Sequence, residues 1–394
     1  MKIAVYGGSF NPPHLGHVTA ARAAIEALRP DRLLIIPTST PPHKELEENS
    51  PSPAERLKLC RLAFGDIPGA EVSDMEIRRK GKSYTADTVA ALRKEYPGAE
   101  LCLVMGTDMF LSFRSWNRWQ TILKACTLAV MSRGEDDREA IERFKAELET
   151  EDAARVALII HRPLPMSSTE IRDRLRHRRG AEELPGEVYG RVIRKRLYGA
   201  RAELDWLRRM VRPYLRDERV PHVEGVESTA VRLAERWGED PDDAAEAGIL
   251  HDITKAQGKE KQLKLCKKYD IMLETAEIEN PALLHALTGA ALAKDRFGAT
   301  DEICSAIRWH TTGRPGMTMF EKIIYLADYV EPTRDFEGVE ELRALCFENL
   351  DRAMRLGLKM SIDELRGRGR PVFHDTLDAY EWYKNLTEGG THYA

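Results

Sequence analysis

Near Gly199 the texture of this sequence changes, and the change limits the folds open to the chain more than any other feature. Before it, strand-like runs at 2–6, 31–37, 101–105, 127–131 and 156–160 alternate with helical patterns at 54–64, 85–96, 116–124 and 169–178. A further helix begins near Gly16, with Ala20, Ala21, Ala24, Ile25 and Leu28 as its apolar stripe. Such alternation predicts a parallel sheet covered on both faces, an α/β doubly wound domain. After Gly199 helical periodicity runs almost to the end, which predicts an all-α bundle. A length of 394 residues agrees with two domains of roughly 100–200 residues each.

Sixty basic and 64 acidic side chains are closely mixed, leaving a formal net charge of −4. That balance gives no electrostatic footprint for nucleic acid and suits small anionic ligands better than polymers. Cys60, Cys102, Cys126, Cys266, Cys304 and Cys346 lie far apart without a Cys-x-x-Cys. They read as reduced thiols and a cytoplasmic address. No apolar run reaches the roughly 18 residues of a membrane span, and the chain opens directly on a strand.

Between the first strand and the first helix stand Gly7-Gly8-Ser9-Phe10-Asn11-Pro12-Pro13 and His14-Leu15-Gly16-His17. A strand-to-helix junction is where open α/β sheets bind ligands: glycines admit a close backbone approach and helix-start N–H groups attract phosphate. Gly7-Gly8 does not complete a dinucleotide fingerprint, and Gly81-Lys82-Ser83 lacks the first glycine of a P-loop, with Glu76 in its place. On spacing alone a phosphate site and a structural histidine pair stand level.

The whole stretch resembles the nucleotidyltransferase superfamily that includes the bacterial nicotinate-nucleotide adenylyltransferases. The resemblance implies a Rossmann-like fold that transfers an adenylyl group from ATP, with Mg2+, to nicotinate mononucleotide. It places Gly7, Gly8, Ser9, Phe10, His14 and His17 on ATP, with His14 and His17 at the phosphates. Ser167-Ser168-Thr169-Glu170-Ile171-Arg172 matches the family's second ATP motif, which assigns Ser167, Ser168, Thr169 and Arg172; read plainly, it is a well-capped helix start. Lys44, after Pro41-Pro42-His43, adds a cation for catalysis and for the mononucleotide, or is a solvated loop lysine. Ser83-Tyr84-Thr85-Ala86-Asp87-Thr88, Gly106-Thr107-Asp108 and Trp116 resemble the mononucleotide pocket, which implies Tyr84, Thr85, Gly106, Asp108 and Trp116 as its walls. Trp116 can stack on a pyridine ring or simply pack in the core. The family usually reads Gly-Ala-Asp where this chain has Gly106-Thr107-Asp108. Residues 184–198 resemble the family's closing helix, which sets the expected domains at 1–199 and 200–394 rather than at a linker near residue 180.

In the second half, His222, His251, His285, His310 and Asp328 occupy positions where helical periodicity calls for apolar residues, and Asp252 adjoins His251. Ionisable groups inside a bundle need partners, and a metal ion can supply them. The order His, His-Asp, His, His, Asp resembles the HD superfamily of metal-dependent phosphohydrolases. The runs around His251-Asp252, Trp309-His310-Thr311-Thr312-Gly313 and Asp328 to Arg334 resemble the HD hydrolases that cleave diadenosine tetraphosphate symmetrically to two ADP. The resemblance implies that His222, His251, Asp252 and Asp328 hold one ion, that Asp252 bridges, and that His285 and His310 hold a second. Iron or manganese suits that mixed shell. Lys255 and Arg334 would bind polyphosphate, with Lys255 also catalytic, or else form surface salt bridges. Ala286 stands where the family often has glycine. His374, Tyr380, Trp382 and Tyr383 read as a helix docking on the bundle.

A bifunctional fusion follows, taking ATP, nicotinate mononucleotide and diadenosine tetraphosphate, with no nucleic acid or membrane partner and homo-oligomerisation left open. Two alternatives give the helical half another phosphoester, such as a nucleoside triphosphate or cyclic nucleotide, or a nucleotide-sensing role.

Overall fold

The computed structural model describes residues 1–41, 46–132, 138–161 and 164–388. The chain divides into two compact units, Met1–Arg201 and Ala202–Ala394.

The first unit is built on six parallel strands, β1 (Lys2–Gly8), β2 (Arg32–Pro37), β3 (Ala70–Val72), β4 (Glu100–Gly106), β5 (Cys126–Ser132) and β6 (Val156–Ile160), in the order β3-β2-β1-β4-β5-β6. Ile3, Val5, Leu34, Ile36, Leu101, Leu103, Leu128 and Val130 share one core cluster on one face of the sheet, and Ala4, Leu33, Ile35, Cys102 and Ala129 between them are buried too, so the central strands are apolar runs rather than alternations. The strand order reverses between β1 and β4, which opens a crevice at their carboxyl ends, Gly8 and Gly106.

This unit departs from the sequence reading at several points. β3 pairs Ala70, Glu71 and Val72 with Leu33, Leu34 and Ile35, yet three residues are too few to show a period. A helix at Arg138–Asp152 was likewise not anticipated. The helix expected from 116 begins only at Trp119, because Arg118 adopts a left-handed φ of 54°.

Among the described residues of the second unit, regular structure is helical throughout. Helices Val220–Trp237, Pro241–Leu250, Pro281–Phe297, Asp301–Trp309 and Met319–Val330 carry or end beside the predicted ligands. Val226, Ala230, Leu233, Leu250, Ile307, Ile324 and Leu326 are buried around them. Gly248 lets the first two of these helices touch: a Cβ there would lie 2.7 Å from Glu227 Cα. The long helices Leu350–Gly367 and His374–Glu388 complete the bundle, and Tyr383 of the latter is buried, its hydroxyl accepting from Met317 N–H at 3.2 Å.

Candidate functional sites

In the sheet unit, His14 precedes the Leu15–Leu28 helix and His17 lies in its first turn, with ring centroids 3.7 Å apart. Gly16 makes this possible, since a Cβ there would stand 3.0 Å from His14 Nδ1. The His14 N–H donates to His17 Nδ1 at 3.2 Å, so the His17 proton sits on Nε2, available as a donor. Burial pushes His14 down to about 4; burial, then the neighbouring His14, holds His17 well below the ordinary histidine range. Both rings are therefore neutral donors near pH 7.

These histidines line a cavity of about 550 Å3 together with Gly106, His161, Met166 and Ser167. Ser167 caps the Ser168–Arg176 helix, accepting from Glu170 N–H at 3.2 Å. Ser168 Oγ donates to Pro12 O at 3.2 Å, and Arg172 Nη1 donates to Asn11 O at 2.9 Å, so the two motifs expected to share ATP are tied together. Arg172 is only 4% exposed and also pairs with Glu47 and Thr169, which makes it a brace for these loops in this structure. The Phe10 ring is buried among Tyr6, His17 and Phe64. Gly7 and Gly8 end β1, and Ser9 offers its carbonyl to Arg56 at 2.7 Å.

Arg56 is a residue that sequence reasoning missed. Fully buried, it also binds the carbonyls of Thr38 and Ser39 at 2.8 Å each, pinning the turns after β1 and β2. Ser83 is tied to the same turn, its Oγ accepting from Ser39 N–H at 2.9 Å, which seats Tyr84 and Thr85 at the start of the Thr85–Glu95 helix. Trp116 lies half-buried against Phe113, at 5.4 Å between centroids. Thr107 Oγ1 donates to Met131 O at 3.3 Å at the end of β4, next to Gly106 and Asp108. Gly106 lines the cavity, whereas Tyr84, Thr85 and Trp116 are not part of its lining. Lys44 lies outside the described residues.

In the helical unit the predicted ligands converge. His222 Nε2 is 3.2 Å from His251 Nε2 and 3.1 Å from Asp328 Oδ1, and His285 Nε2 is 3.1 Å from His310 Nε2. Asp252 stands between the pairs. Its Oδ2 is 3.3 Å from His251 and 3.7 Å from His222, while Oδ1 is 3.2 Å from His285 and 3.6 Å from His310. Two ligand triads of metal-binding geometry result, His222–His251–Asp328 and His251–Asp252–His310.

The protons on these rings can be located. Nδ1 of His251, His285 and His310 faces the carbonyl three residues earlier, Gly248, Ala282 and Ile307, at 2.7, 2.6 and 2.6 Å. His222 Nδ1 faces Glu331 Oε1 at 3.0 Å. All these partners only accept, so each Nδ1 carries hydrogen and, in the neutral ring that a metal ion requires, each Nε2 turns a lone pair inward. Asp252 Oδ1, fully buried, is consequently left without a hydrogen bond despite its close imidazoles. Lone pairs facing one another around an orphaned carboxylate oxygen fit a divalent cation. Burial opposes the charge on Asp252 and Asp328; the Lys255 ammonium and the Arg334 guanidinium favour it at Asp328, and the Arg219 guanidinium donates to Asp252 Oδ2.

Three further groups were not singled out from sequence. Arg219 donates from Nε to Asp252 Oδ2 at 2.8 Å and lines a cavity of about 220 Å3 with Asp252 and Lys255. Glu331 holds His222. Thr254 and Thr288, with Gln262, form a buried network that touches the carbonyl of His285. Arg219 and Glu331 each sit three residues from a ligand, His222 and Asp328, and that one-turn spacing was the available signal. Lys255 Nζ is 3.3 Å from Asp252 Oδ2, and Arg334 Nη2 donates to Asp328 Oδ1 at 2.6 Å.

Comparison with known proteins divides the chain in the same manner. Residues 5–174 match the cytidylyltransferase-like family and residues 219–333 the HD domain. A symmetrical bis(5'-nucleosyl)-tetraphosphatase of Bacillus subtilis is 42% identical over 44% of this chain and 92% of its own length. A protein of Symbiobacterium thermophilum named as a probable nicotinate-nucleotide adenylyltransferase is 35% identical over 43% of this chain and 82% of its own length. A protein of Clostridium acetobutylicum, described as a predicted HD superfamily hydrolase involved in NAD metabolism, is 37% identical, with a TM-score of 0.46 over 48% of this chain and 100% of that one.

Proposed function

We infer that both halves are active enzymes, because this chain belongs to two families, the nicotinate-nucleotide adenylyltransferases with their cytidylyltransferase-like fold and the HD-domain symmetrical bis(5'-nucleosyl)-tetraphosphatases. The domains are proposed as 1–199 and 200–394. The first half joins nicotinate mononucleotide to the adenylyl group of ATP: a phosphate oxygen of the mononucleotide attacks the α-phosphorus and pyrophosphate leaves. No covalent enzyme intermediate is needed, only in-line positioning and stabilisation of developing charge. His17 Nε2–H and the adjacent His14 donate to non-bridging oxygens, and the N-terminus of the Ser168–Arg176 helix receives the outer phosphates. Mg2+ arrives with ATP. Lys44, which follows β2 in the sequence, adds a cation, while Tyr84, Thr85, Gly106, Asp108 and Trp116 hold the pyridine nucleotide, with Trp116 stacking on the ring.

The second half splits diadenosine tetraphosphate at its central bridge with one water, giving two ADP. A resident divalent ion, iron or manganese, supplies Lewis acidity and a hydroxide near neutral pH when bound. His222, His251, Asp252 and Asp328 hold it, and Asp252 turns its second oxygen to a neighbouring position served by His285 and His310. Lys255, Arg219 and Arg334 neutralise the polyphosphate. The observation that carries this reading is the buried Asp252 carboxylate between two pairs of inward Nε2 lone pairs. Product analysis on the intact chain tests it. Nicotinate adenine dinucleotide with pyrophosphate is expected from the first reaction and ADP alone from the second; ATP with AMP as the cleavage products, or no turnover of either substrate, refutes it.

A further inference from the structure

The four clustered imidazoles of the bundle differ in one respect. His251, His285 and His310 give the Nδ1 proton to a neutral backbone carbonyl, whereas His222 gives it to a carboxylate, Glu331 Oε1. Glu331 is fully buried and firmly held. Thr333 N–H donates to its Oε2 at 2.6 Å and the Thr333 hydroxyl donates to Oε1. The Arg343 guanidinium binds the carbonyls of Val330, Glu331 and Arg334 at 2.9, 2.9 and 2.7 Å, clamping the turn that presents it. On the opposing helix position 225 is glycine, and a Cβ there would lie 2.5 Å from Glu331 Oε2 and 3.2 Å from Pro332 Cδ.

We propose that Glu331 is a positioning residue of the metal centre, which acts through His222, with Gly225 and Arg343 as the parts of the fold that keep it in place. The proposal rests on reading the bundle as a metal centre. An ionised acceptor makes a stronger hydrogen bond than a carbonyl. It pins the ring, excludes the tautomer that would put hydrogen on Nε2, and leaves more electron density on the nitrogen that meets the ion. His222 is thereby the strongest nitrogen donor of the four. Gly225 is required because a side chain there would push the carboxylate off the ring.

The test reads ion binding rather than turnover. The metal-free full-length chain is titrated calorimetrically with Mn2+ as wild type, Glu331→Gln, Gly225→Ala and His222→Ala, with circular dichroism reporting the fold of each. Glu331→Gln keeps size and is expected to weaken binding roughly 10–100-fold. Gly225→Ala leaves every polar group present and should weaken binding in the same direction. Combining the two should cost little more than Glu331→Gln alone, since both act on one contact. A purely structural role would lower the folded fraction without changing the affinity of what remains folded. Wild-type affinity in folded Glu331→Gln overturns the proposal. Wild-type affinity in His222→Ala would instead overturn the metal-centre reading beneath it.

Discussion

In the sheet unit, two adjacent imidazoles are kept neutral by burial and line a cavity at the crevice of the sheet. In the helical unit every inward imidazole nitrogen lies within 3.7 Å of a carboxylate oxygen, at Asp252 or Asp328. The same side chain thus serves opposite ends. Neutral N–H donors suit an anionic ligand; lone pairs set among ionised carboxylates suit a cation. What separates the two is the second ring nitrogen. His17 accepts at Nδ1 and so donates at Nε2, while the bundle histidines donate at Nδ1 and so ligate at Nε2.

The sharpest way to break this contrast is Asp252→Ala. Loss of the bridging carboxylate removes several kcal/mol of charge stabilisation, so tetraphosphate cleavage should fall on the order of 10³-fold or more. Adenylyl transfer should be unchanged, and parallel loss of both activities in a folded protein would show that the chemistries are not separate. Next in size, His17→Ala removes one preorganised donor and is expected to lower kcat of adenylyl transfer by roughly 10²–10³-fold. Manganese stoichiometry should stay at the wild-type value in that variant.

Trp116→Ala probes the first site at its far wall. Loss of a stacking contact of about 1 kcal/mol should raise KM for nicotinate mononucleotide several-fold with little change for ATP. Equal KM values would return Trp116 to the core.

The smallest effect concerns pH. His14 is pushed down to about 4 from an ordinary 6.5, so the unfolded chain binds more protons than the folded one between these values. Stability from this group is fully present above 6.5 and is lost as pH falls toward 4, with a slope of at most about 1.4 kcal/mol per pH unit. Denaturation of His14→Asn across that window should show a shallower pH dependence than wild type. Cleavage by the helical half should also decline on acidification, since ligand nitrogens must shed protons to bind a metal, whereas adenylyl transfer should hold.

Much of this contrast was legible in the sequence because its carriers are local patterns. His14-Leu15-Gly16-His17 is one short run leading into a helix, and the bundle ligands announce themselves as ionisable residues on apolar stripes. Contacts between distant segments were not legible. Glu331 reaches a histidine 109 residues away, and Arg56 collects carbonyls from two separate turns. Backbone geometry was equally hidden: nothing in the period around Trp116 announces the left-handed Arg118 that delays the next helix. Which nitrogen of each ring carries hydrogen depends on a carbonyl or carboxylate placed by the fold, so the division of labour between the two sites emerges only in three dimensions.

The most direct test joins metal content to cleavage in one preparation. Intact protein purified anaerobically is analysed for transition metals and assayed on diadenosine tetraphosphate as wild type and as Asp252→Ala. Bound iron or manganese with ADP formation in the wild type, and loss of both in the variant, is the predicted result. Wild-type protein without any transition metal, together with a variant that hydrolyses equally well, would contradict it.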